Sequence, residues 1–271
     1  MILRSTFSSR FVSVAVLAAT LSACSSTHQD VHAGAPHHWG YAGAAGPEHW
    51  SDLEPANSAC DQGEEQSPID IVTANTVAEH AAKLALDDAP SDFGVANNGH
   101  TVQATLRAGS GKCRLSLDGV EYDLQQFHVH TPSEHAIDGK HSPLELHFVH
   151  KAADGSLAVV GVMVEPGAAN AELEKVWHVA PAHAGEGGVA TGVDIAKILP
   201  GMRENFRYPG SLTTPPCSEH VQWIVMETPI TMSKEQIARF QTMFAAPEFP
   251  QGNARPVKPL GHRKVVIDPG T

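Results

Sequence analysis

The chain has 271 residues, 42% of them hydrophobic, which is enough for one large core and falls within the single-domain range of β proteins. Its 30 acidic and 18 basic side chains give a formal charge of −12, which argues against a nucleic-acid surface and for a soluble acidic protein. No internal repeat or long low-complexity segment divides it.

At the N-terminus, Arg4 and Arg10 flank the start of an apolar run at 11–21. That run suits the h-region of an export signal and is too short for an ordinary transmembrane span. It ends in Leu21-Ser-Ala-Cys24, a bacterial lipobox pattern in which Cys24 is lipidated and becomes the first mature residue. Cleavage by an ordinary signal peptidase at Ala23 or a nearby small residue is the alternative. Residues 1–23 are thus expected to be a signal peptide and 24–38 a polar, flexible tether, leaving 39–269 as the folded domain. Membrane contact is expected only through a lipid on Cys24, with the protein in the cell envelope.

Further along, short alternating runs at 102–106, 113–117, 124–130, 144–150, 157–164 and 221–226 are separated by Gly, Asp, Pro and Asn. That punctuation belongs to a mainly β, many-stranded antiparallel protein. Helical patterning is sparse, at 170–179, 194–198 and 233–244, the last opening on Ser233 with Glu235 and Gln236 in its first turn.

The chemistry concentrates in two of these runs. Alternation over 122–130 places Leu124, Gln126, His128 and His130 on one face and Gln125, Phe127 and Val129 on the other. The two imidazoles then point the same way, about 7 Å apart along the strand. Over 144–150, Glu145, His147 and Val149 share a face against Leu144, Leu146 and Phe148. If the strands are neighbours, about 4.8 Å apart, His147 completes a three-nitrogen tripod. Three protein ligands leave zinc a fourth position for water, the arrangement of a catalytic site. With 17 histidines in the chain a single His-x-His pair is weak evidence. The polar company strengthens it, because Gln126 precedes His128 by two residues and Glu145 precedes His147 by two, where each can take the outer ring N–H of a ligand.

Six motifs carry a wider resemblance: Gln126-Phe-His-Val-His-Thr-Pro-Ser-Glu-His135, Glu145-Leu-His147, Asn97-Asn-Gly-His100, Gln66-Ser-Pro-Ile-Asp70, Ser211-Leu-Thr-Thr-Pro-Pro216 and His38-Trp-Gly-Tyr41. In this order, from about Trp39 to Ile267, they resemble the α-class carbonic anhydrases. The absence of tryptophan after His130 is closer to the bacterial members. The resemblance implies a large twisted, mostly antiparallel central sheet with peripheral helices, and a zinc at the base of a conical cleft. It implies reversible hydration of CO₂ to bicarbonate and a proton by zinc-bound hydroxide, with Zn²⁺ on His128, His130 and His147. Thr213, donating to Glu134, would orient the nucleophile, and Thr214 would contact bicarbonate or cleft water.

The same resemblance nominates Val149, Val159, Leu212, Val221 and Trp223 as the CO₂ pocket, although each reads equally as a core residue. It makes His100 the proton shuttle, suited by an unperturbed pKa of about 6.5, with Tyr41 and Asn98 ordering the waters. Asn253 joins Gln126 and Glu145 behind the ligands. The remaining histidines, the His37-His38 pair and His49 among them, are expected to face solvent. The resemblance further implies a Cys60–Cys217 disulfide, cis bonds at Ser67–Pro68 and Pro215–Pro216, sulfonamide and anion inhibitors, and a periplasmic location. Cys113 is expected to be a buried strand cysteine acting as a small hydrophobe, and both monomer and dimer remain open. Competing readings are a catalytically silent relative and an envelope zinc-binding protein. A metalloprotease is disfavoured, because there is no His-Glu-x-x-His helix.

Overall fold

A computed structural model describes residues 38–78, 84–245 and 247–269. The expectations for the signal, for Cys24 and for the tether up to residue 37 fall outside these residues.

Among the described residues, alternation of apolar and polar residues builds a 13-stranded sheet. Its middle runs, side by side, through Val102–Leu106, Val120–His130, Leu144–Ala152, Leu157–Pro166, Glu219–Met226 and Asn205–Ser211. Neighbours along this path are antiparallel except Leu157–Pro166 and Glu219–Met226, which pair in parallel with Val159 opposite Trp223. The strand Cys113–Leu117 folds back onto Val120–His130 through Asp118 and Gly119, both at positive φ (53° and 80°), the conformation in which an Asp-Gly pair suits a tight hairpin.

The two faces of the sheet bury different things. One carries Leu124, Phe127, Val129, Leu144, Leu146, Phe148, Val160 and Val162 into the main core. The helices Ala171–Val179 and Lys234–Met243 close that core with Leu173, Val176, Trp177, Ile237 and Phe240. Both start where expected. The Asn170 side chain accepts the N–H groups of Glu172 and Leu173, and Ser233 forms a capping box with Gln236. Gln236 also bonds the backbone N–H and C=O of Asn170, 3.0 Å each, which pins the two helix starts together. The opposite face carries a second cluster containing Val159, Met163, Tyr208, Val221, Trp223 and Val225, and there the polar side chains of the central strands emerge.

One expectation about these faces is corrected. Leu124 does not share the side of His128; it lies in the main core with Phe127 and Val129. A register shift between Leu124, opposite His150, and Gln126, opposite Val149, inserts one extra residue and reverses the alternation upstream.

The expected disulfide joins Cys60 and Cys217, whose Cα atoms are 5.0 Å apart, and Cys113 is a free, buried strand cysteine. Ser67–Pro68 and Pro215–Pro216 are cis as expected; Thr131–Pro132 is a third cis bond that the sequence reading did not include. No helix among the described residues is long and apolar enough to cross a membrane.

Candidate metal centre

His128 and His147 stand directly opposite each other on neighbouring antiparallel strands, and His130 follows two residues on. The spacing is tighter than the extended-strand value: ring centroids are 5.0 Å apart for His128 and His130, 5.3 Å for His128 and His147, and 4.6 Å for His130 and His147. One nitrogen from each can be chosen so that all three lie within 4.8 Å of one another.

Hydrogen bonds select those nitrogens. His128 Nδ1 meets Gln126 Oε1 at 2.8 Å, His130 Nδ1 meets the Asn253 carbonyl at 2.7 Å, and His147 Nε2 meets Glu145 Oε1 at 2.8 Å. Each acceptor demands an N–H, which leaves Nε2, Nε2 and Nδ1 as bare lone pairs. His130 Nε2 is buried without any partner. Such an atom is costly unless something binds it. Burial also drives the pKa of all three rings down, that of His130 to about 4, so the donors are neutral at physiological pH. Three neutral, converging imidazoles fit zinc, whose catalytic sites take three protein ligands.

Asn253 does more than the sequence reading assigned to it. Its Oδ1 accepts from the Thr131 N–H, and its Nδ2 donates to the carbonyls of His100 and Val129, so one residue fixes both ends of the His130 segment. Glu134 lies beside the tripod, fully buried. Its Oε1 accepts from the Arg255 backbone N–H at 2.8 Å, and the Thr213 hydroxyl approaches it from the loop after Ser211. Burial pushes its carboxyl up to about 7, against the opposing pull of His147 and Thr213. Glu145 behaves in the reverse way: burial is outweighed by His135 and His147, and it stays well below the ordinary range.

The five nominated pocket residues lie together. Val159, Val221 and Trp223 belong to the second cluster, with Val149 and Leu212 packed against it half-buried. Val149 and Trp223 flank Val159 in register, and the Trp223 ring lies 4.8 Å from that of His147. The Trp223 indole N–H donates to the Ser211 carbonyl, which fixes the loop that carries Thr213.

His100 sits on a turn shaped by Asn98, whose Oδ1 accepts the N–H groups of His100 and Thr101. Its ring is stacked on Trp39 at 3.7 Å, with His38 4.8 Å away and Tyr41 6.4 Å away. Burial first, and the His38 ring second, push its pKa down to about 4. Tyr41 is buried, and Thr214 is half-buried with its carbonyl accepting from the Cys217 N–H. His38 and His49 are exposed, but His135 and His150 are buried, against expectation. The sequence reading also missed Arg255, Tyr208 and Gly161. Arg255 donates to the carbonyls of Ser67 and Cys60 from Nη1 and Nη2. Nothing in its local sequence marks it.

A mainly antiparallel sheet whose face presents three neutral, converging imidazoles defines a protein able to hold one metal ion. The sequence model of the eukaryotic-type carbonic anhydrase family matches residues 45–268. The carbonic anhydrase of Pectobacterium atrosepticum is 42% identical over 230 residues, covering 84% of this chain and 90% of the relative. That of a Nostoc species is 42% identical over 233 residues, covering 84% and 85%. The solved α-carbonic anhydrase of Thermovibrio ammonificans, in complex with the inhibitor sulfanilamide, matches with a TM-score of 0.78 at 45% identity, over 84% of this chain and 98% of that one. The chain belongs to the α, or eukaryotic-type, carbonic anhydrase family and is a carbonic anhydrase.

Proposed function

We propose that the protein hydrates CO₂ reversibly at a zinc ion held by His128 Nε2, His130 Nε2 and His147 Nδ1. The observation that carries this reading is the unpartnered, buried His130 Nε2, aimed where two other neutral imidazole nitrogens converge. Zinc in such a site supplies Lewis-acid activation of water at neutral pH.

The rest of the work falls to the chain. Gln126, the Asn253 carbonyl and Glu145 hold the outer ring protons, so the ligand tautomers are set before a metal arrives. Glu134 accepts the Arg255 N–H on Oε1, and the Thr213 hydroxyl is its side-chain neighbour in the same pocket. A Thr213 hydroxyl that donates to Glu134 has only lone pairs left for the cleft, so a water there donates to Thr213 and turns a lone pair toward the substrate. CO₂ has no net dipole, and the wall of Val149, Val159, Leu212, Val221 and Trp223 offers it apolar contact without polar competition. Thr214, at the mouth of the same loop, contacts the bicarbonate product.

His100 relays the released proton, with Tyr41 and Asn98 ordering the water between. Burial first, and the His38 ring second, lower its basicity, so at neutral pH it passes a proton on readily. Sulfonamides are expected to bind at the same centre, as one does in the Thermovibrio relative. The apolar N-terminal run, the Leu21–Cys24 pattern and a disulfide that persists in oxidising compartments support export to the periplasm with a lipid on Cys24. Radiolabelled fatty acid retained by the wild type and lost in Cys24→Ala tests that attachment.

Stopped-flow CO₂ hydration before and after zinc removal, and after its return, tests the main reading. Activity that disappears with the metal and returns with one zinc per chain is expected; stoichiometric zinc without hydration would make the site a binding site only.

A further inference from the structure

A cavity of about 530 Å³ lies between the segments 60–66 and 258–262 and shares no lining residue with the metal centre or the apolar wall. That volume is within the range of small-molecule sites, about 300–1,000 Å³. Its two walls are stitched together. Arg263 Nη2 donates to the carbonyls of Gln66 and Pro259, 2.9 Å each, and the Lys258 N–H donates to the Pro68 carbonyl at 2.7 Å. Arg255 Nη2 donates to the Cys60 carbonyl at 2.7 Å, and Cys60 is itself tied to Cys217. The cavity is therefore formed by the fold and needs no ligand to shape it.

Gln66, 4% exposed, lines this cavity, and the orientation of its amide is not free. Its Nε2 donates to the Cys217 carbonyl at 3.1 Å and to Glu219 Oε1 at 2.9 Å. The Cys217 carbonyl can only accept, so the nitrogen must face it, and both amide N–H groups are used. Glu219 Oε1 is held in turn by the Glu65 N–H at 2.6 Å. Gly63 permits the close approach, because a Cβ there would collide with Glu219 Oε1 and Gln66 Nε2. Gln66 Oε1 is then left buried, with no donor among the described residues. An acceptor in that state is costly unless something donates to it.

Charge on the other wall is equally unanswered. Lys258 is half-buried, and among the described residues its ammonium makes neither a hydrogen bond nor an ion pair. Burial first, and the Arg255 guanidinium second, pull its pKa below the usual lysine value, with Asp61 opposing them. Asp61, Glu64 and His262 stand exposed at the rim. They do not converge into a metal-ligand set. A simple anion against Lys258 would also meet the two carboxylates and the Gln66 oxygen, and a simple cation at that oxygen would meet the ammonium. A molecule carrying both charges meets each wall with its opposite.

We propose that this cavity binds a free α-amino acid, with its ammonium group toward Gln66 Oε1 and the acidic rim and its carboxylate against Lys258. The proposal does not depend on the zinc reading.

The test is a titration of the full protein with L-alanine, followed through the backbone amide resonances, with acetate and ethylamine as probes that carry one charge each. L-Alanine should shift the amides of 61–66 and 258–262 saturably. Acetate and ethylamine should bind there at least about tenfold more weakly, the loss expected for a missing charge-assisted hydrogen bond. Lys258→Met removes the ammonium from a half-exposed position and should weaken L-alanine about tenfold. No saturable shift in these two segments would overturn the proposal. So would either single-charge probe binding as tightly as L-alanine, or wild-type affinity in folded Lys258→Met. If Lys258→Met does not fold, the three probes on the wild type decide alone.

Discussion

Replacing both Cys60 and Cys217 by Ala should cost several kcal/mol of stability and disturb the Thr213 loop with it. The crosslink spans 157 residues. In the chain-entropy treatment a loop of that length removes about 17 cal/mol/K from the unfolded ensemble, or about 5 kcal/mol at 25 °C, with about 2–5 kcal/mol typical of native disulfides in practice. The local setting adds to this. Both cysteines are buried in a cluster with Tyr41 and Trp50, the Cys60 carbonyl accepts from Arg255, and the Cys217 carbonyl accepts from Gln66. Urea unfolding of the wild type and the double variant, both under non-reducing conditions, measures the difference. The entropic origin also predicts a larger m-value for the variant, because its unfolded chain exposes more surface. A loss below about 1 kcal/mol with an unchanged m-value would refute the reasoning.

Three other outcomes are expected. Asp88 is half-buried, and burial, against the pull of Arg203, raises its carboxyl from 3.8 to about 6. A carboxyl raised in the folded state favours folding while protonated, so stability should fall as pH rises from about 4 through about 6. Asp88→Asn should remove that fall and gain about 1 kcal/mol at pH 7.5, discounted for partial exposure, with no gain at pH 4 in paired denaturation curves. A Cβ at Gly161 would stand 2.9 Å from Glu145 Oε1, an atom already held by two imidazoles, so Gly161→Ala should weaken zinc binding about tenfold or more in chelator competition. Val159→Phe should fill the apolar wall between Val149 and Trp223. It should lower kcat/KM for CO₂ about tenfold, equivalent to about 1.4 kcal/mol, with zinc content unchanged.

Much of the site was legible because its determinants are local. The faces of 126–130 and 145–149 follow from strand alternation, and Gln126 and Glu145 do what residues two places before a ligand can do on a strand. Leu124 broke the pattern because a bulge is a property of the pairing, and one strand read alone carries no trace of it. The strands Ser91–Asn97 and Gly185–Val193 escaped notice because Ser91, Gly94 and Asn97 in the first, and four glycines in the second, blunt the apolar rhythm. Long-range partners were the least visible. Arg255 reaches Glu134 across 121 residues and Tyr208 reaches His135 across 73, distances at which only the folded chain, or resemblance to a family, supplies the contact. His100 shows the other limit: its position was legible, but the burial and the neighbouring His38 ring that lower its basicity were not.

The most direct test of the account is an anomalous-scattering map at the zinc edge from crystals of the zinc-loaded protein. One full peak about 2.0–2.1 Å from His128 Nε2, His130 Nε2 and His147 Nδ1 is expected. A peak bound elsewhere, or bound to His147 through Nε2 with Glu145 displaced, would contradict it.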